Sequence, residues 1–256
     1  MCRIGYVPSP EAIEEVKKIA ALPGITMQGI FTHFSEADIA DKEWAHEQHS
    51  RFSAFIDALK GAGVTFNIHH CCNSAGTLEL PDFHREMIRP GIIQYGYDAS
   101  KEVLVTGTKI KPVMSLRCCI THLKTIYEGD CVGYGRHFTA KGPTKIATLP
   151  IGYADGYNRA LSSKIDVIVH GVRAHQVGNI CMDQCMIDVS HIPDVKVGDE
   201  VVLFGEQGSE CVSADEIADT CHTIIHEITC NINRRVPRIY VQNGKIVQRL
   251  EYLTQS

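Results

Sequence analysis

The sequence predicts an α/β part that is followed by a mostly antiparallel β domain. Up to about residue 100, short apolar runs typical of strands alternate with segments of helical periodicity, which is the pattern of βα units in a parallel sheet or barrel. Beyond that point short strand-like runs dominate, and glycine-containing turns such as Gly129-Asp130 separate them. We therefore divide the chain into residues 1–100 and residues 101–256.

The first predicted helix begins with a capping signal. Ser9 is a good N-cap residue, and Pro10 suits the first helical position. Apolar residues then recur on one helical face at Ile13, Val16 and Ala20. Pro23-Gly24 ends this helix.

Two strand-like runs lie on either side of a longer helix. Residues 27–32 predict a short buried strand ending at His33, and residues 64–70 predict a second strand. Residues 41–60 between them predict a helix, which Gly61 and Gly63 close. Its apolar stripe consists of Phe52, Phe55, Ile56 and Leu59.

Two shorter elements complete the first part. A short helical stretch is expected after Ser74, and residues 86–93 form a further strand-like run. A closed (β/α)8 barrel takes about 250 residues, so roughly one hundred residues supply only about half of its eight units. Such an open half-barrel would expose two strand edges.

The second part predicts several strands and one helix. Strand-like runs occupy residues 113–126, 145–149, 165–170 and 201–204. The helix is opened by Ser213-Ala214-Asp215-Glu216, which has the pattern of a capping box. This arrangement favours a mostly antiparallel β domain.

Composition narrows the class of protein. The 256 residues are 44% hydrophobic and 21% charged, with a formal net charge of -5. These values are typical of a globular protein with a core, and the lack of a basic block argues against nucleic-acid or membrane-surface binding. No apolar run approaches the ~18 residues that suggest a membrane span, and no signal peptide is apparent. We expect a cytoplasmic protein.

The eleven cysteines do not form a recognisable metal pattern. Cys71-Cys72 and Cys118-Cys119 are adjacent pairs, and no CxxC motif occurs. The four-residue spacing of Cys181 and Cys185 is a weak zinc signal. We expect reduced, mostly buried thiols and no metal site.

Several short motifs follow one another along the chain. They are Thr32-His33-Phe34, Asn73-Ser74, Arg89-Pro90-Gly91, the run at residues 131–136 and the run at residues 151–159. Taken singly, each residue has an ordinary structural explanation, since Ser74 suits a helix cap and Arg89 a surface turn. Taken together and in this order, they resemble the fold-type III, pyridoxal-phosphate-dependent alanine racemases over nearly the whole chain.

The resemblance implies that the first part is the second half of the barrel that holds the cofactor, and that two subunits pair head to tail as a homodimer. Racemisation removes the α-proton from one face of the amino acid and returns it to the other, and pyridoxal phosphate delocalises the carbanion. Tyr134 matches the family's tyrosine base, which needs help to act near neutral pH. His33 matches the histidine that hydrogen-bonds this tyrosine, and Arg89 comes next in the chain of contacts.

The same resemblance implies a set of cofactor-binding residues. Arg89 matches the arginine that faces the pyridine nitrogen, where a donor-only group keeps this nitrogen unprotonated and limits side reactions. Ser74, with the backbone near Gly91 and Ile92, matches the phosphate cradle. The further cofactor-binding positions that we expect are Asn73, Arg3 and His226.

Substrate-binding positions follow in the same way. Arg3 matches the arginine near the substrate carboxylate, and Met182 matches a position whose amide contacts that carboxylate. Tyr153, Arg159 and Asp38 match residues that line the way into the site, and Tyr134 borders the substrate. The implied substrate is alanine.

Two departures from the family pattern carry consequences. The family's Schiff-base lysine lies upstream of everything in this sequence, so we expect an N-terminally truncated chain that is inactive alone. His226 stands where the family has a tyrosine, and its smaller ring leaves more room for a substrate such as serine. The alternatives to an alanine racemase that supplies D-alanine for peptidoglycan are therefore a serine or broad-specificity racemase, and a non-catalytic dimerising fragment. Decarboxylases of comparable architecture share the motifs poorly.

Overall fold

A computed structural model of the protein describes residues 1–102 and 110–253, and these residues form two units. The division between the units falls between Val113 and Met114. Because residues 103–109 lie outside the described ranges, the boundary expected near residue 100 stays a prediction. The fold class itself, an α/β barrel part followed by an antiparallel β domain, is confirmed.

Within residues 1–102 and 110–113, the first unit contains three α-helices and two strands. In chain order these are α1 (Pro10–Ala20), β1 (Gly29–Phe31), α2 (Glu43–Gly61), β2 (Ile68–His70) and α3 (Ser74–Glu79). Strands β1 and β2 pair in parallel, with Gly29 opposite Ile68 and Phe31 opposite His70. Since α2 connects them, the carboxyl ends of both strands lie at one edge, where barrel enzymes place their sites.

The cap of α1 acts as the sequence predicted, whereas α3 is capped by Asn73 and not by Ser74. The Ser9 Oγ accepts a hydrogen bond from the Ala12 amide at 3.2 Å, and Pro10 begins α1. The side chain of Asn73 caps α3 by accepting from the Gly76 amide at 3.0 Å.

The core of the first unit consists of two apolar clusters beneath α2. One cluster contains Phe34, Ala37, Ala45, Phe52, Cys71, Cys72, Ala75, Leu80 and Phe83. The other contains Val16, Leu59 and Val64. Phe52 and Leu59 of the predicted stripe are therefore buried as expected, each contributing about 1.5–3 kcal/mol of hydrophobic stabilisation.

Two sequence-based expectations for this unit are wrong. Strand β1 is shorter than predicted and is not buried, since the side chain of Phe31 is 49% exposed and stacks on the His70 ring. Residues 86–93 form no strand. Their backbone is used differently, because Pro90 has no N–H and the Arg89 amide donates to the Cys72 carbonyl at 2.9 Å.

The second unit is a mostly antiparallel β domain. The strands of its main sheet are β3 (Leu116–Cys119), β4 (His122–Ile126), β7 (Thr144–Leu149), β8 (Asp166–Val169), β9 (Val172–Gln176), β10 (Cys185–Asp188), β11 (Glu200–Gln207) and β12 (Glu210–Val212). Their order in the sheet is β12-β11-β8-β9-β10-β7-β4, with β3 paired to β11. All of their pairings are antiparallel. Two small ribbons add β5 (Cys131–Val132) with β6 (Phe138–Thr139), and β13 (Arg238–Gln242) with β14 (Lys245–Leu250).

The helical part of this unit differs from the prediction. Two helices are present where one was expected, α4 (Ala214–Cys221) and α5 (Ile225–Asn231). Ser213 caps α4 by accepting from the Glu216 amide at 3.1 Å. The reciprocal half of the capping box is missing because the Glu216 carboxylate instead accepts from Arg173 at 2.8 Å.

Candidate active site

Arg89 occupies the edge where β1 and β2 end. Its guanidinium donates to the Thr32 carbonyl at 2.9 Å, to the Cys71 carbonyl at 3.4 Å and to Nδ1 of His70. It also lies over the Phe31 ring, 5.2 Å from the ring centroid. No carboxylate within residues 1–102 and 110–253 pairs with Arg89. The guanidinium is therefore held by neutral acceptors and keeps its positive charge available to a ligand.

Two histidines beside Arg89 are held in the neutral form. Burial lowers the pKa of His70, and the charge of Arg89 lowers it further. Burial, then Arg89 and then Arg3 lower the pKa of His33, whose Nδ1 lies 3.4 Å from Arg89 Nη2. Both Nδ1 atoms can then act as acceptors for Arg89.

Gln48 of α2 fixes the loop that carries His33. Its side-chain amide donates to the His33 carbonyl at 2.6 Å and to the Thr32 hydroxyl at 3.0 Å. Its oxygen accepts from the Ser35 amide at 3.2 Å. The loop after β1 is thus bound to the helix that follows it.

Ser74 and Gly91 face each other next to this edge. The Gly91 amide donates to the Ser74 Oγ at 2.8 Å, and the Ser74 side chain is buried at the start of α3. A Cβ at Gly91 would meet only that oxygen, at 3.5 Å, so the space in front of Gly91 is otherwise open. The Ser74 hydroxyl, the Ile92 amide and the first amides of α3 are donors of the kind that suits a phosphate group.

The other expected residues of the first unit are placed around this edge. Arg3 is exposed, but its charge reaches His33. Ile92 is buried directly after Gly91, and the Asn73 side chain serves as the cap of α3. The Asp38 carbonyl accepts a hydrogen bond from the Ser100 hydroxyl.

The second unit presents a separate open depression of about 280 Å³. Its lining residues are Tyr134, Tyr153, Cys181, Met182, Asp183 and Gln184. Tyr134 stands in a short 3-10 turn between Gly133 and Gly135, both with positive φ, and its side chain is 76% exposed. Asn179 donates to the Tyr134 carbonyl at 2.8 Å and so holds this turn against the depression.

The loops of the depression approach each other through Gly152. The Tyr153 amide donates to the Cys181 carbonyl and the Ala154 amide to the Met182 carbonyl, each at 3.0 Å. A Cβ at Gly152 would collide with both carbonyls, although its φ of -152° is an ordinary one. Only glycine permits this close approach.

Arg235 joins the same loops from a distant part of the chain. Its Nε donates to Asp155 at 2.6 Å and its Nη2 to Asp183, also at 2.6 Å. The second carboxylate oxygen of Asp155 accepts from the Gly152 amide at 2.9 Å. Arg235 therefore links the loop of Tyr153 to the loop of Met182 through two salt bridges.

The structure brings together some of the predicted residues in each unit. His33, Arg89, Ser74 and Gly91 gather in the first unit, and Tyr134, Tyr153 and Met182 share the depression of the second. Arg159 and His226 are exposed and do not line that depression. The residues of these sites that were not predicted from the sequence are His70, Gln48, Asn179 and Arg235. For His70 the signal was available, since it ends a predicted strand immediately before Cys71.

The described residues contain neither a cluster of metal ligands nor a helix that could span a membrane. Among residues 1–102 and 110–253, no group of three or more His, Cys, Asp or Glu side chains is placed to hold a metal ion. Within the same residues, none of the helices has both the length and the apolar character needed to cross a membrane.

Comparisons with known proteins agree with this arrangement. Residues 1–99 match the family "Alanine racemase, N-terminal domain", and residues 113–240 match "Alanine racemase, C-terminal domain". Alanine racemase 1 of Clostridium acetobutylicum is 46% identical over 253 residues, which is 99% of this chain and 66% of that protein. The chain thus spans slightly less than two thirds of the length of this relative.

Solved structures give the same result. Alanine racemase of Clostridium difficile 630 is 41% identical with a TM-score of 0.94, covering 99% of this chain and 65% of that one. Alanine racemase of Bartonella henselae with covalently bound pyridoxal phosphate is 28% identical with a TM-score of 0.80, covering 94% and 64%. The chain belongs to the alanine racemase family.

Proposed function

We propose that this chain forms part of a cytoplasmic alanine racemase. The enzyme interconverts L- and D-alanine with pyridoxal phosphate and supplies D-alanine for cell-wall peptidoglycan. The observation that carries the proposal is the Arg89 guanidinium, held at the ends of β1 and β2 by neutral acceptors and facing no carboxylate of the described residues. A structural arginine in such a position would ordinarily be paired with an acid.

The residues of the first unit fit pyridoxal phosphate. Ser74 and the backbone of Gly91 and Ile92 would hold the phosphate, with the open space before Gly91 giving it room. Arg89 would donate to the pyridine nitrogen, and Arg3 would lie near the phenolic oxygen and the substrate carboxylate. When bound, the cofactor withdraws electron density from the α-carbon of the amino acid.

The residues of the second unit supply the proton chemistry. Tyr134 would hold or release a proton at its hydroxyl, and the Met182 amide would orient the substrate carboxylate. The exposure of Tyr134 favours a homodimer in which it completes the site of the partner subunit beside that subunit's neutral His33. Tyr153, Arg159 and Asp38 would line the way in.

The 256 residues alone are proposed to be inactive. Of the lysines of the first unit, Lys17 and Lys18 pair with glutamates on α1, and Lys42 donates to the Ala37 and Ile39 carbonyls. None of these contacts leaves an amine next to Arg89. Pyridoxal phosphate followed by borohydride and mass spectrometry should leave no stoichiometric lysine adduct on the chain, and a single modified lysine would contradict this part.

The activity is tested with a chimera. The third of the C. difficile racemase that this chain does not match is joined to these 256 residues, and D-alanine is measured by chromatography after incubation with L-alanine. Formation of D-alanine, and growth of a D-alanine auxotroph that expresses the chimera, are expected. A soluble chimera that binds pyridoxal phosphate but forms no D-alanine would reject the proposal.

A broader substrate range is the second candidate, and His226 favours it. The imidazole is smaller than the tyrosine that the family carries at this position, so a serine side chain would find more room. The chimera should therefore lose its activity on serine relative to alanine when His226→Tyr is introduced. An unchanged ratio would remove this candidate.

A further inference from the structure

Cys71 and Cys72 form a buried dithiol that the proposed racemase chemistry does not use. They follow β2 directly, and each is 1% exposed. Their sulfurs lie 3.9 Å apart, and both thiols donate only weakly, to the Phe83 carbonyl at 3.3 and 3.5 Å. Neither sulfur is therefore committed to a strong interaction that a ligand would have to replace.

The distance between the sulfurs suits a shared covalent partner. Bonds of about 2.3 Å to one atom, the length of a zinc–thiolate bond, bring two sulfurs to about 3.4–3.8 Å for bond angles from about 95° to tetrahedral. A movement of a few tenths of an ångström closes the gap from 3.9 Å. Since no third metal-binding side chain is near within the described residues, the fitting ligand is one that two thiolates satisfy.

The surroundings favour loss of one of the two thiol protons, that of Cys71. Arg85 and Arg89 both act on the pair, and no carboxylate of the described residues pairs with either. The Nε of Arg85 is buried and has no hydrogen-bond partner, while its Nη2 donates to Ser53 at 2.7 Å. The contact between the two sulfurs lowers the pKa of Cys71 and raises that of Cys72, which burial raises further.

We propose that Cys71 and Cys72 form a binding site for trivalent arsenicals, which they chelate through both sulfurs. With an arylarsenic(III) oxide, two As–S bonds form and the arsenic–oxygen bond breaks. The oxygen leaves with both thiol protons as one molecule of water. Arsenic stays trivalent, so the step needs no oxidant or reductant.

The site is coupled to Arg89 through the backbone. The Cys72 carbonyl accepts from the Arg89 amide at 2.9 Å, and the Cys71 carbonyl accepts from its guanidinium at 3.4 Å. Because both carbonyls belong to the residues that bind the arsenical, we expect binding to alter the contacts of the guanidinium, including its hydrogen bond to His70. The NMR signals of His70 should then move on arsenical binding, and this readout requires neither cofactor nor turnover.

The chain contains its own control, the pair Cys118-Cys119. These residues are also adjacent, but they lie in β3 opposite Val201 and Glu200 of β11. Successive strand side chains point to opposite faces, so their sulfurs cannot share one ligand. Burial raises the pKa of the Cys118 thiol to about 12, whereas Cys119 is exposed.

The test is phenylarsine oxide binding to the folded 256-residue chain, followed by mass spectrometry and peptide mapping. One arsenical at residues 71 and 72 is expected. It should be lost in Cys71→Ser and in Cys72→Ser, with affinity falling about a hundredfold or more because chelation is replaced by a single bond. The double variant Cys118→Ser/Cys119→Ser should bind as the parent does, and circular dichroism checks that each variant is folded.

Three results would overturn the proposal. They are binding that survives both single substitutions, an adduct that maps to other cysteines, and reaction of the urea-unfolded chain where the folded chain does not react. Cys71→Ala and Cys72→Ala serve as second variants if a serine variant fails to fold. Because the measurement follows arsenic rather than D-alanine, its outcome is independent of the proposed racemase activity.

Discussion

The guanidinium of Arg89 donates a hydrogen bond to Nδ1 of His70, the last residue of β2. His70 in turn stacks on Phe31, the last residue of β1, with ring centroids 5.2 Å apart. Phe31 and His70 are also register partners in the parallel pair. The pairing of the two strands thus decides where Arg89 is held, and with it the proposed place of the cofactor ring.

Arg89 should be important for the stability of the first unit as well as for its chemistry. Arg89→Gln removes the donors of the Thr32 and Cys71 carbonyls and of His70, so we expect a loss of about 1–3 kcal/mol in the free energy of unfolding. Urea denaturation followed by circular dichroism measures it. Arg51→Gln is the matched control and should have little effect, because it removes an exposed i,i+4 pair with Glu47 and an exposed contact with the Trp44 ring.

The lowered pKa values of two histidines should make the stability of the chain depend on pH. The pKa values of His33 and His70 are lowered from 6.5 in the folded chain, so between the folded value and 6.5 the unfolded chain binds more protons. The contribution of the two histidines to the free energy of unfolding should therefore be complete above pH 6.5 and should decrease as the pH falls through that window. Urea midpoints from pH 7.5 to 5 measure the effect, which His70→Gln should reduce. A parent chain that gains stability on acidification would contradict the assignment.

Much of this architecture follows from local signals in the sequence. Ser9 and Ser213 each cap a helix by accepting from an amide three positions away, and both N-caps were predicted correctly. The remaining features depend on distant partners. The Glu216 carboxylate binds Arg173 instead of completing the capping box of its own helix. Arg235 binds Asp155, which lies eighty positions away in the sequence. No local pattern could indicate these contacts, and the role of His70 similarly depends on the register of β1 and β2.

Gly152 should not tolerate a side chain. Gly152→Ala forces a Cβ into the Cys181 and Met182 carbonyls, and we expect about 1–3 kcal/mol of destabilisation from this overpacking. Thermal unfolding monitored by circular dichroism checks it. Gly142→Ala is the control, because a Cβ at Gly142 meets nothing within 4 Å. Equal stability of the two variants would mean that the two loops do not approach as described.

Of the two salt bridges of Arg235, the one to Asp155 should contribute more to stability than the one to Asp183. The Asp155 side chain is 11% exposed and that of Asp183 is 58% exposed, so water replaces the lost partner only at Asp183. Arg235→Gln should lower the Tm by several degrees and speed amide hydrogen exchange in residues 152–157. Asp183→Asn should change both far less. A larger effect of Asp183→Asn than of Arg235→Gln would contradict this role of Arg235.

Tyr134 is the residue on which the proposed chemistry most directly depends. In the chimera with the C. difficile segment, the exchange of the α-hydrogen of L-alanine in D2O is followed by NMR, and Tyr134→Phe is compared with the parent at equal pyridoxal phosphate content. We expect D-alanine formation by the parent and a loss of about a hundredfold or more in the variant, the contribution of a positioned acid–base group. A Tyr134→Phe chimera that racemises alanine as fast as its parent would contradict it.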